Sequence, residues 1–401
     1  MKYILRIFAV IGFIALVGIV IAYGRGYRWN LKNKSLTPTG ILSVNSNPNA
    51  AKIYLNGQLK GVTDTNLTLP PDTYKIEIKK DGYTSWMKTV KLQGELVYIV
   101  DTQLFPLNPS LSPLTNLGVV SAVPVDQTER IIIFSDNNDP LKDGIYLFEA
   151  SKKPLSLLPP LKLLVLKKDL SNPDVDFNNP SVYFSPDYKE AIVNFASSQA
   201  YLLSLDGDNK NIFEVSTSKS TLIAAWDEER NKEVQKILEA FPEDFAKVAS
   251  DSFKIISFSP DKNKVFYQST IKEQLPLIID PPLIAGNQTQ ENRDLTKNNY
   301  YIYDKKEDKN FLISNFALPA GRQEVQNPNF PQWYPDSAHL VFAENKKISV
   351  IDYDNTNKQT IYSGPFEGSF FINTADGKIV TLSNLNPENN QFPDLYLVGV
   401  R

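Results

Sequence analysis

A short turn motif recurs along the second half of the chain and constrains the fold more than any other feature. Phe184-Ser185-Pro186-Asp187 precedes the strand-like run Glu190–Phe195, Phe258-Ser259-Pro260-Asp261 precedes Lys264–Tyr267, and Trp333-Tyr334-Pro335-Asp336 precedes His339–Phe342. Each copy reads as a tight turn between two strands. Proline presets φ, aspartate bonds to its own backbone, and β-forming residues resume after a short polar stretch. Self-similarity of this kind marks a repeat architecture. The three aspartates lie 74 and 75 residues apart, with weaker echoes at Pro124-Val125-Asp126 and Ala375-Asp376-Gly377. From Asp336 to Asp376 the interval is 40 residues, the length of one four-stranded blade. The longer intervals require insertions.

At 401 residues the chain has room for two or three domains. It contains no cysteine, which excludes disulfides, thiolate metal sites, a cysteine nucleophile and a lipid-modified cysteine. Its single histidine, His339, excludes a multi-histidine metal site. A formal charge of −3 argues against an electrostatic nucleic-acid partner. Ile7–Tyr23 is uninterruptedly apolar, with Lys2 and Arg6 before it and Arg25, Arg28, Lys32 and Lys34 after it. Residues 4–23 approach the ~20 that span a bilayer, so the expectation is a single-pass anchor in the cytoplasmic membrane. The rival is a cleaved signal peptide, for which Val20 and Ala22 supply small residues, although the apolar region is long for one. Charge on both flanks leaves the positive-inside rule without a preference for a cytoplasmic amino terminus.

Residues 25–39 read as a linker. From Gly40 the pattern changes to short alternating strands: Ile41–Ser46, Ala51–Leu55, Asn66–Leu69, Thr73–Ile78, a strand through Trp86 and Val90, and Leu96–Leu104. Asn56-Gly57 is a strong hairpin signal. Period-two alternation puts Val44, Ile53, Leu55, Tyr74, Ile76 and Trp86 in the core. The motifs Ser46-Asn47-Pro48-Asn49-Ala50-Ala51, Gly61-Val62-Thr63, Pro71-Asp72-Thr73-Tyr74 and Gly82-Tyr83 resemble the PEGA domain over residues 40–107. The departures are Ala50 for Gly, Asp64 where Pro is usual, and Asp72 for Gly. The resemblance implies a β-sandwich-like module, exposure on the cell envelope, contact with cell-wall or surface glycan, and no catalytic residues.

Residues 112–401 resemble TolB-like and WD-type β-propellers in their Ser-Pro-Asp and Tyr-Pro-Asp turns. The fold class is therefore mainly β: a transmembrane helix (1–24), a PEGA-type module, then a propeller of about five blades. Leu155–Leu158 reads as the outer strand of the first blade, with a sixth blade if Leu161–Val165 begins another. The last blade lacks an outer strand, which residues around Leu104–Leu117 can supply. Two insertions are assigned to the third blade. Residues 227–250 carry Val234, Ile237, Leu238, Phe241, Phe245 and Val248 at helical spacing, split by Pro242, as a cap on the propeller or a partner-binding helix. Residues 274–298 carry an apolar run whose Leu275, Leu277, Ile278, Ile279, Leu283 and Ile284 either pack under the cap or form a binding surface.

No catalytic, cofactor or metal site emerges. His339 follows a turn and has no triad partners in sequence, and no Gly-x-Ser-x-Gly elbow exists. Asp206-Gly207-Asp208-Asn209 and Asp352-Tyr353-Asp354-Asn355 lack the spacing of a calcium loop and read as hairpin chemistry. The expected role is a membrane-anchored envelope protein that binds surface glycan or another envelope protein, with its bulk extracytoplasmic. The alternatives are a sensor or assembly scaffold without glycan affinity, and, less favoured, an enzyme using propeller carboxylates.

Overall fold

A computed structural model describes residues 2–24, 26–30, 35–125, 128–149, 161–196, 198–314, 331–367, 370–372, 376–388 and 390–399. The chain divides into two compact units, Met1–Pro106 with Ile279–Gln290, and Leu107–Ile278 with Glu291–Arg401.

The first unit opens with helix α1 (Lys2–Gly24), whose described large apolar side chains, from Tyr3 to Tyr23, are exposed. The stretch read as a linker contains a hairpin. Strands β1 (Tyr27–Asn30) and β2 (Ser35–Pro38) pair as an antiparallel hairpin, Tyr27 opposite Pro38 and Trp29 opposite Leu36. Seven strands follow: β3 (Gly40–Asn47), β4 (Lys52–Leu55), β5 (Gln58–Val62), β6 (Thr65–Leu69), β7 (Asp72–Lys79), β8 (Trp86–Leu92) and β9 (Val97–Gln103). They form one sheet of order β6-β3-β9 and another of order β5-β4-β7-β8. Strand β3 alternates, with Leu42 and Val44 inward, and meets Ile53, Leu55, Ile76, Ile78, Trp86 and Val90 in one core. Each such aliphatic side chain stabilises the fold by about 1.5–3 kcal/mol. Tyr74 is the one expected core residue that is only partly buried, because its hydroxyl reaches out to the Pro70 carbonyl at 2.9 Å.

The module's motif residues have local physical reasons. The Ser46 and Thr63 hydroxyls share a 2.6 Å hydrogen bond, and Thr63 Oγ1 accepts the Ala51 N–H at 2.9 Å. Asp64 accepts the Ser46 N–H at 3.1 Å. Ala50 has φ +57°, a left-handed conformation that explains the glycine usual there. Asp72 is not left-handed, and its carboxylate accepts the Thr73 N–H at 2.7 Å.

Unit two contains five four-stranded antiparallel sheets among the described residues. Sheet I comprises Val119–Val125, Arg130–Ser135, Gly144–Glu149 and Leu161–Leu166. Sheet II comprises Ser181–Phe184, Glu190–Asn194, Ala200–Ser204 and Phe213–Glu214. Sheet III comprises Phe253–Phe258, Lys264–Ser269, Tyr300–Asp304 and Lys309–Ile313. Sheet IV comprises Gln332–Trp333, His339–Glu344, Lys347–Asp352 and Gln359–Tyr362. Sheet V comprises Phe370–Ile372, Ile379–Ser383, Asp394–Gly399 and, from the other end of the unit, Ser110–Pro113. Leu161–Leu166 completes sheet I and does not begin a sixth; Leu155–Leu158, Asp126 and Ala375 lie outside the described residues.

Sheet-to-sheet packing follows chain order. One core joins I to II, another joins III to IV, and a third joins V back to I through Ile133, Phe148, Leu382 and Leu395. This is the layout of a β-propeller, in which radial repetition leaves only short edges. The closure is locked at Asp394. Its Oδ1 accepts the Thr115 hydroxyl at 2.8 Å and the Leu117 and Gly118 N–H groups at 2.9 and 3.2 Å.

The helices stand in a different place from the one their sequence position was read to imply. Helix α2 (Lys219–Leu238) and helix α3 (Glu243–Ser252) precede sheet III rather than interrupt it. Leu222, Ile223 and Trp226 pack on sheet II, while Leu238, Phe241 and Phe245 pack on sheet III. The helices thus carry apolar contact between two neighbouring sheets, and only the second insertion lies within sheet III.

The recurring turns share one geometry. Ser185 Oγ donates to Asp187 at 2.7 Å and accepts the Glu190 N–H at 2.9 Å. Ser259 Oγ does the same with Asp261 and the Lys264 N–H, at 2.6 and 2.9 Å. The residue after each aspartate is left-handed: Tyr188 at φ 55°, Lys262 at 55°, Ser337 at 59° and Gly377 at 70°. At the last of these a Cβ would also collide with the Tyr334 hydroxyl. Gly377→Ala is therefore expected to destabilise the second unit by at least about 1 kcal/mol, with part restored when Tyr334→Phe is added. Urea denaturation of the two variants checks this, and equal stability of Gly377→Ala and the parent would refute it.

Candidate binding surfaces

The insertion in sheet III is anchored by a polar clip at its roots. Glu273 and Gln274 pair with Leu295 and Asp294 in a short two-stranded sheet. Arg293 Nη1 donates to the Pro276 carbonyl at 2.5 Å, and its Nη2 lies 3.2 Å from the Asp308 carboxylate. The buried Asp308 carboxylate also accepts the Ile278 N–H at 2.7 Å and the Tyr303 hydroxyl at 2.9 Å. Burial, and then the Asp308 charge, push the Tyr303 hydroxyl well above its ordinary pKa. On the returning limb Asn292 is stitched to Asn310, whose amide donates to the Asn292 carbonyl at 2.6 Å. A buried charge held by this many donors is structurally committed.

This clip separates the six candidate residues. Leu275 is 2% exposed and belongs to the core formed by α2, α3 and sheet III, so it offers no surface. Leu277 is 46% exposed and Ile278 half-buried; both belong to the second unit. Ile279, Leu283 and Ile284 belong to the first unit, with Ile279 half-buried and Leu283 and Ile284 exposed by 47% and 56%. Within that unit Gln288 caps an edge strand: its Oε1 accepts the Lys91 N–H at 2.7 Å and its Nε2 donates to the Lys91 carbonyl at 3.0 Å. Strand β8, which carries Lys91, is an edge of its sheet, where unpaired backbone groups otherwise invite foreign strands.

Sequence reasoning missed a second apolar surface. Strands β3 and β9 run parallel, with Ile41 beside Val97 and Ser43 beside Ile99. The outward side chains Ile41, Val97 and Ile99 are exposed, while Tyr98 and Val100 between them are buried. The signal was present: Val97-Tyr98-Ile99-Val100 is apolar on both faces, whereas an outer sheet face ordinarily alternates to polar.

His339 is buried between two carboxylates, Nδ1 at 2.6 Å from Asp336 and Nε2 at 3.3 Å from Asp352. Burial alone would lower its pKa, but the Asp336 charge and hydrogen bond, then Asp352, overcome it and raise the value to about 10. The imidazolium in turn holds Asp336 below its usual range despite burial. Both ring nitrogens face carboxylates, so the ring is placed as a buried cation and not as the general base of a hydrolase. In the two acidic loops Asn209 and Asp354 bond within their own hairpins, while Asp206 and Asn355 reach Arg130 and Ser314 outside them. Asn209 spans the Ser204 N–H and carbonyl at 2.7 and 2.8 Å, and Thr356 donates to Asp354 at 2.6 Å. Asp206 pairs with Arg130 at 2.8 Å.

Residues 39–108 match the family model of the PEGA domain. No curated protein gives a match. Among solved structures the chain is similar to the WD40 β-propeller domain of Doa1, at 9% identity and TM-score 0.31, over 73% of this chain and 96% of that one. It is similar to a chain of the mitotic checkpoint complex at 10% identity and TM-score 0.26, over 70% and 78%. A protein of unknown function from Bacteroides thetaiotaomicron aligns at 8% identity and TM-score 0.19, over 87% and 78%. At these scores the propeller reading rests on the order and packing of the sheets.

The His339 pair predicts a pH dependence with a definite sign. Its folded pKa is raised from 6.5 to about 10, so its stabilisation is complete below pH 6.5 and is lost as pH rises through 10. Asp336 is depressed, so its contribution is present above its ordinary 3.8 and is lost as pH falls through its lower folded value. His339→Gln is expected to cost about 3 kcal/mol at pH 6. The gap to the parent should narrow towards pH 10–11 in denaturation profiles; a gap independent of pH would contradict the ion pair. Arg293→Leu leaves Asp308 buried without its cation and is expected to destabilise by about 3–5 kcal/mol, read by the same denaturation assay.

Proposed function

We propose that this chain is a membrane-anchored protein of the cell envelope, held by an uncleaved α1 with its bulk outside the cytoplasmic membrane. Its role is non-catalytic recognition of another envelope protein or of surface glycan. The apolar, 23-residue α1 is long enough to cross a bilayer, although a signal sequence has the same character. The observation that carries recognition is the inserted loop: its roots are locked by Arg293 and Asp308, and its tip nevertheless leaves Leu283 and Ile284 in solvent. Long loops on a rigid scaffold commonly carry binding. Exposed aliphatic side chains suit a protein surface, since apolar area is what they remove from water.

Protease added to intact spheroplasts should digest both units; protection until lysis would reverse the topology. Leu283→Asp with Ile284→Asp, both at exposed positions, should leave the melting temperature nearly unchanged. It should also abolish crosslinking from a photoreactive residue placed at Ala285. Undiminished crosslinking removes the loop as the site. Retention of the folded double variant on isolated cell-wall material would instead assign binding to glycan elsewhere on the chain. Loss of parent binding to that material, with crosslinking intact, favours a scaffold without glycan affinity.

A further inference from the structure

The join between α1 and the hairpin is built as a stiff aromatic collar. The Gly26 N–H donates to the Tyr23 carbonyl at 3.1 Å, continuing the helix end into the turn. Arg28 Nη1 donates to the Tyr23 and Tyr27 carbonyls, each at 3.0 Å, and its guanidinium lies 3.8 Å over the Tyr23 ring. A cation at the carboxyl-terminal end of a helix also complements its dipole. The hairpin is fixed at its other end as well. The Thr39 N–H donates to the Gly26 carbonyl and the Glu95 N–H to the Thr39 carbonyl, each at 3.0 Å. Among the described residues, the last turn of α1 is thus tied through Gly26 and Thr39 to Glu95 of the sandwich.

Two large aromatic side chains project from this join. Tyr23 and Trp29 are exposed by 63% and 60%. Trp86, Trp226 and Trp333 are all buried, so Trp29 departs from every other tryptophan in the chain. An indole left in water, one residue from the arginine that grips the helix end, loses the burial that such a ring ordinarily gains. Amphipathic rings of this kind are favoured at the level of lipid headgroups, with the ring body in the apolar boundary and the polar tip in water.

We propose that Tyr23, Arg28 and Trp29 form an interfacial collar that seats in the phospholipid headgroup layer of the bilayer crossed by α1, and that it fixes the angle at which the chain leaves the membrane. The collar rests on the reading of α1 as a retained anchor. A helix stitched to a hairpin in this way transmits its tilt to the hairpin, whereas a flexible linker would not.

The test uses the full chain in phosphatidylcholine–phosphatidylglycerol vesicles, with Trp29→Phe as the control. Flotation and the mass of the amino terminus report the anchor; tryptophan fluorescence reports the collar. The expected result is a floating, uncleaved chain. Part of its emission should be quenched more by lipids brominated near the headgroup than by lipids brominated near the acyl terminus. That part should resist aqueous acrylamide and should be missing from Trp29→Phe. A floating, uncleaved chain whose Trp29 emission is quenched by acrylamide and untouched by brominated lipid overturns the collar and leaves the anchor standing. A chain that is cleaved before Tyr23 or fails to float overturns both.

Discussion

Pairing of Ser110–Pro113 with Asp394–Gly399 is the interaction on which the larger unit depends. It gives sheet V its outer strand, and Asp394 draws Thr115, Leu117 and Gly118 onto the same strand end. The core that joins sheet V to sheet I exists only when the two ends of the unit have met. Contacts this far apart in sequence carry a large loop-closure entropy before they return any stabilisation. They also cover the longer strand Asp394–Gly399 and leave only the four-residue Ser110–Pro113 at that edge of the sheet.

Within that ring the third sheet departs from the simple meander. Helices α2 and α3 and the turn between them present Trp226 to sheet II and Phe241 and Phe245 to sheet III, so an irregular stretch of sequence becomes a packing element. Phe245 stacks on Tyr303 with ring centroids 3.8 Å apart, and Tyr303 donates to Asp308, which holds Arg293. The same residues that seat the helices therefore hold the roots of the inserted loop. The ring of Tyr303 serves the aromatic stack and its hydroxyl the buried ion pair, so one side chain joins the helix packing to the roots of the loop.

Much of this was legible because its chemistry is local. Ser185, Asp187, Ser259, Asp261 and Asp336 bond within a few residues of themselves, so the turns stand out in the sequence as they do in space. The alternation of Val44, Ile53 and Ile76 is equally local, and the PEGA match covers nearly the residues that the motifs had outlined. What stayed hidden depends on partners far along the chain. Leu275 and Leu277 look alike in sequence, and only packing against the helices and sheet III buries the first. The start of α2 was missed because Thr221–Trp226 includes β-branched and aromatic residues that also suit a strand. Arg293 gave no signal, since its partners Pro276 and Asp308 lie 17 and 15 residues away.

The cap on strand β8 has a consequence for synthesis. Lys91 and Gln288 are 197 residues apart, yet their two hydrogen bonds lie within a single compact unit. At roughly 5–20 residues per second, the sandwich emerges and folds about 10–40 s before the residue that covers its edge has been made. Throughout that interval the Lys91 backbone faces the surroundings with its donor and acceptor unpaired by Gln288. A nascent chain of this protein is thus most exposed to wrong strand pairing midway through translation, at an edge that the finished protein no longer presents there.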